Sequence, residues 1–118
     1  MNRVLTQEEL GEQIATLAAD IHAAMCQWLE LVAEFDERGG WADQGAKTCA
    51  HWISWRCGIA PGAAREHVRV ARRLGSLPLI RDAFARGELS YSKVRALSRV
   101  EEIESEADLL RLAKTATA

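Results

Sequence analysis

At 118 residues the chain has room for one hydrophobic core and not two. Its 48% hydrophobic and 27% charged residues match an ordinary globular protein and exclude a disordered or fibrous chain. A formal net charge of −2 excludes a protein that is basic all over, but that total averages segregated charge. Residues 1–46 hold two basic and nine acidic side chains, and residues 47–60 two basic and none acidic. Residues 61–100 hold nine basic and three acidic, and residues 101–118 two basic and five acidic. A basic middle is flanked by acidic ends.

No apolar run approaches the ~18 residues of a membrane helix, because charges interrupt every hydrophobic stretch. The start, Met1-Asn2-Arg3-Val4-Leu5-Thr6, turns acidic at once and does not read as a signal peptide. Cys26, Cys49 and Cys57 form no C-x-x-C pair, so the expectation is no disulfide framework and a reducing cytoplasm. Cys49, near a helix start, reads as a small core residue, with a thiol of lowered pKa as the alternative.

The predicted elements are all helical, since no stretch alternates apolar and polar residues long enough for a strand. The first helix opens at Thr6, with Glu9 completing a capping box. Leu10, Ile14, Leu17, Ile21, Ala24, Trp28, Leu31 and Phe35 then follow a heptad spacing up to Gly39-Gly40. Such a helix is ~48 Å long at ~1.5 Å per residue. A compact chain of this length has a radius of gyration near 13.5 Å and spans roughly 35 Å. The helix therefore overhangs and meets a partner helix, such as a second copy's, or else bends alone over the core.

After a loop from Gly40 to Lys47, Thr48 caps a short helix through Cys57, stopped by Gly58. Its Trp52 and Trp55, with Ile53 and Ala50, read as core, and base stacking is the alternative. Pro61 opens a helix to Leu74 with Ala64, Val68, Ala71 and Leu74 inward and Arg65, Arg69, Arg72 and Arg73 on the other side. Pro78 opens the next, Leu79 to Arg86, closed by Gly87. Ser90 caps a fifth through about Arg99, with Val94 and Leu97 inward and Lys93, Arg95 and Arg99 outward. Ser105 caps the last, where Glu106 and Asp108 suit the helix dipole and Ile103, Leu109, Leu110 and Leu112 are apolar. The expected fold is all-α with about six helices, the long first one packed on a cluster of shorter ones in a single domain, 1–118. The last residues, Thr115-Ala116-Thr117-Ala118, lack Gly, Pro or a basic cap, and read as a helix cut short in a longer protein.

The ordered set His51-Trp52-Ile53, Gly58, Ala64-Arg65, Val68-Arg69-Val70-Ala71-Arg72, Leu77-Pro78, Gly87-Glu88-Leu89-Ser90 and Val94-Arg95 carries a resemblance. It resembles the N-terminal domain of unknown function 222 of the actinobacterial 13E12 repeat proteins. The resemblance implies a helical domain that precedes an HNH endonuclease domain, in proteins of repeated or mobile elements. It brings no catalytic residue and no ligand onto this chain.

An HNH nuclease needs histidines as base and metal ligand and an Asn to orient the base, on a ββα unit. The chain offers His22, His51 and His67, and its only Asn is Asn2, so the expectation is no nuclease, no enzyme, no metal and no cofactor. His22 and His51 read as packing or surface residues, and Glu8, Glu9 and Glu12 as a solvated first turn. No small-molecule substrate is evident.

DNA is the partner the basic residues suggest. Arg65, Arg69 and Arg72 recur at i, i+4, i+7, with Arg73 adjacent, and Lys93, Arg95 and Arg99 follow on a second helix. Guanidinium groups pair bidentately with phosphates, so two such helices can straddle a backbone. The turn at Gly87-Glu88-Leu89-Ser90 fits a helix-turn-helix poorly, because Arg86, Glu88 and Lys93 stand where apolar residues belong. Two other uses stay open. The arginines can pair with the acidic first helix, or the seam of Leu10, Ile14, Leu17, Ile21 and Trp28 can make the domain a homodimerisation module.

Overall fold

The structure, a computed structural model, describes residues 4–100 and 105–115. Among them are seven helices and no strand: α1 (Gln7–Arg38), α2 (Gly40–Asp43), α3 (Cys49–Cys57), α4 (Pro61–Leu74), α5 (Pro78–Ala85), α6 (Tyr91–Leu97) and α7 (Glu106–Thr115). Most termini obey the local rules. The Thr6 hydroxyl accepts from Glu9 N while the Glu9 carboxylate accepts from Thr6 N, a complete capping box. Thr48, Ser90 and Ser105 accept from the backbone three residues on. Pro61 and Pro78 stand in the first turns of α4 and α5, where a missing N–H costs nothing. The seventh helix is α2, in the stretch expected to be a loop. Gly39, at φ 69°, ends α1 in the left-handed conformation and at once serves as the cap of the next turn.

α1 packs on α4, α5 and α6, and α3 packs on α4. The core is Cys26, Leu29 and Val32 of α1, Cys49 and Ile53 of α3, the inner stripe of α4, Leu77, Ile80, Ala83 and Phe84 around α5, and Leu89 and Val94. The expected inner residues of α4, Ala64, Val68, Ala71 and Leu74, are all buried, joined by Val70. Gly87, at φ 78°, lies against α1 so closely that a Cβ there would sit 2.5 Å from the Ala19 carbonyl oxygen. Glycine at this turn therefore serves both its left-handed backbone and the approach to α1.

The heptad seam of α1 does not face this core. Leu10, Ile14, Leu17 and Ile21 are 41%, 69%, 60% and 65% exposed, and Leu31 is exposed as well. The face that docks lies about a quarter-turn round the helix, through Cys26, Leu29 and Val32. Only Trp28 and Phe35 of the seam are covered, by His67 at 5.2 Å and by Trp52 at 4.5 Å between ring centroids. Of the two tryptophans expected in the core, Trp52 is half-buried against it and Trp55 is exposed, as is the apolar Leu112 of α7. Ile103, expected among the apolar residues of the last helix, lies outside the described residues, as do residues 116–118. The radius of gyration is 16.8 Å and the extents 50 × 46 × 20 Å, longer than the roughly 35 Å of a compact chain of this length. No helix among the described residues is long and apolar enough to cross a membrane.

Candidate functional site

Burying one stripe of α4 forces its arginines to the other side of the helix. Arg65, Arg69, Arg72 and Arg73, with Ser76, line one shallow depression there. At its edge Glu66 gathers three guanidinium groups onto one carboxylate. Arg69 donates from Nη2 at 2.5 Å and from Nε at 3.0 Å, Arg95 of α6 from Nε at 3.1 Å, and Arg99 from Nη2 at 2.9 Å. These charge-assisted bonds, that from Arg69 first, hold the Glu66 carboxyl down at about 2. Arg69 also donates to Ser98 Oγ and Arg73 to the Val100 carbonyl, which fixes the end of α6 against α4.

Arg72 makes a bidentate pair with Asp36 of α1, at 2.7 and 3.0 Å. Arg81 of α5 pairs with Glu30 of α1 at 2.7 Å. The acidic first helix and the basic block thus do bond to each other within one chain. Lys93 turns the other way and donates to the Ala113 carbonyl of α7 at 2.7 Å. The structure brings six of the seven expected basic residues together and sends Lys93 elsewhere.

Ion pairing does not exhaust the face. Six guanidinium groups, of Arg65, Arg69, Arg72, Arg73, Arg95 and Arg99, meet two carboxylates, Glu66 and Asp36, which leaves a surplus of four positive charges among the described residues. Arg65 has no hydrogen-bond or ion-pair partner among the described residues and is exposed. Arg95 donates to Glu66 through Nε and Arg99 through Nη2, so other N–H groups of both remain for an outside acceptor. Glu66 and Asp36 are the residues that sequence reasoning missed. Glu66 sits three residues before Arg69, a readable spacing, but its partners on α6 and just beyond it lie 29 and 33 residues away.

Beside this face His67 Nδ1 and the Tyr91 hydroxyl are 3.0 Å apart, with Trp28 edge-on to the imidazole. Burial pushes the His67 pKa down, against the opposing effect of Glu66. Cys49 is buried, and burial together with Asp36 pushes its thiol up to about 11, the opposite of an activated cysteine. Among the described residues no group of three or more His, Cys, Asp or Glu side chains is placed to hold a metal ion.

Fold and face together define a class, an all-helical domain that displays an organised cluster of guanidinium groups. The chain belongs to the family described as Domain of unknown function (DUF222), whose model matches residues 6–118. No curated protein and no solved structure matches it.

Proposed function

We propose that the domain is a non-catalytic accessory module that grips the phosphate backbone of DNA through the α4–α6 arginine face. The observation that carries this reading is the surplus of four positive charges on one face, with Arg65 unpartnered among the described residues. Glu66 acts as an organiser. It gives up one charge to hold three flexible guanidinium groups in place, which lowers the entropy each would lose on meeting a phosphate. The HNH association that the resemblance implies gives such a grip a use, to recruit or orient a linked nuclease on its substrate.

The test is binding of a fluorescent duplex of about 20 base pairs, followed by anisotropy over a salt series. Arg65→Glu alters the face at the residue that holds nothing else in place. It should weaken binding about tenfold and flatten the salt dependence by about one to two units of slope. Wild-type affinity in the Arg65→Glu chain would overturn the assignment of this face.

A further inference from the structure

The α1 seam is an unpartnered apolar face, and we infer that a second copy of this chain covers it, pairing the two α1 helices antiparallel about a two-fold axis. The inference is independent of the arginine face. Leu10, Ile14, Leu17 and Ile21 stand exposed in one row along the N-terminal half of α1. Beyond Ile21 the row is interrupted, because the chain's own His67 and Trp52 take up Trp28 and Phe35 and only Leu31 among the later large residues stays exposed.

Two observations select a second copy as the occupant. First, the free length is self-complementary. Run antiparallel, Leu10 faces the partner's Ile21 and Ile14 faces the partner's Leu17, so every layer pairs one Leu with one Ile. Antiparallel pairing also places the two bodies toward opposite ends of the pair. Second, the flanks of the seam are Gly11, Gln13, Ala18 and Asp20, with one charge among four. Gln13 meets the partner's Asp20 and Gly11 meets the partner's Ala18, which permits close approach without like-charge opposition. Glu8, Glu9 and Glu12 fall on the far side of the helix.

Sedimentation equilibrium of the 118-residue chain at about 100 µM tests this, beside Ile14→Glu with its helix content checked by circular dichroism. The expected result is twice 13.1 kDa for the wild type and a folded monomer for Ile14→Glu, with dissociation at least about a hundredfold easier. A wild-type monomer, or a dimer that Ile14→Glu leaves intact, overturns the inference. For the orientation, Leu10→Cys and Ile21→Cys chains are mixed in a Cys57→Ser background. Antiparallel pairing gives the mixed disulfide. A Leu10→Cys chain that links to its own kind would overturn it, since antiparallel pairing holds the two copies of that position ~16 Å apart along the axis.

Discussion

Replacing Glu66 by Gln removes one charge from the point where Arg69, Arg95 and Arg99 converge and keeps the shape of the side chain. The carboxyl is held at about 2 against an ordinary 4.5. At ~1.4 kcal/mol per unit, the gross contribution at neutral pH is about 3 kcal/mol. The three guanidinium groups are 35%, 50% and 55% exposed, and screening at that exposure removes about half of it. The substitution should therefore cost about 1.5–2 kcal/mol at pH 7, a fall in Tm of about 6–8 °C. Because the folded carboxyl titrates below the unfolded one, its stabilisation is complete above pH 4.5 and is lost as the pH falls toward 2. Glu66→Gln has no such titration, so the gap between the two chains should close over that range. Urea unfolding followed by circular dichroism at several pH values measures it. A gap as wide near pH 2 as at pH 7, or none at pH 7, would refute the view that this carboxylate binds the face together.

Two comparisons test the close packing directly. Gly58 and Gly87 both have positive φ, but an added Cβ meets nothing within 4 Å at Gly58 and the Ala19 backbone at Gly87. Thermal unfolding should show Gly58→Ala losing about 1 kcal/mol and Gly87→Ala about 3 kcal/mol; equal losses would contradict the contact with α1. Cys26 and Cys49 are buried with thiols pushed up to about 11, while Cys57 is exposed. A maleimide at pH 7.5 should modify one thiol of the native chain quickly and the other two only after unfolding.

Helix ends were legible because their causes are local: a hydroxyl capping an N–H three residues on, a proline in the first turn, a glycine at the last. The same locality misled at Gly39-Gly40, where a stop signal also began α2. The heptad of α1 was legible as a pattern, but its destination was not. Periodicity reports which residues share a face, not whether that face meets the chain's own core, and here Cys26, Leu29 and Val32 take that place. The basic residues of the site and the Glu66–Arg69 spacing within α4 could be read from the sequence, whereas the other pairs that organise the face span 29 to 36 residues. Only the packing of α1, α4 and α6 brings Asp36 to Arg72, and Glu66 to Arg95 and Arg99. Lys93 fails to join them because α7 draws it to the Ala113 carbonyl, a contact that no spacing in the sequence announces.

The central claim is that the surplus positive charge of the α4–α6 face is there for phosphates. The salt dependence of duplex binding tests it most directly. Four phosphate contacts predict a slope of about −3.6 in log affinity against log salt, a loss of about 150-fold between 50 and 200 mM. No binding of the duplex at 20 mM salt, or an affinity that does not change across the series, would contradict it.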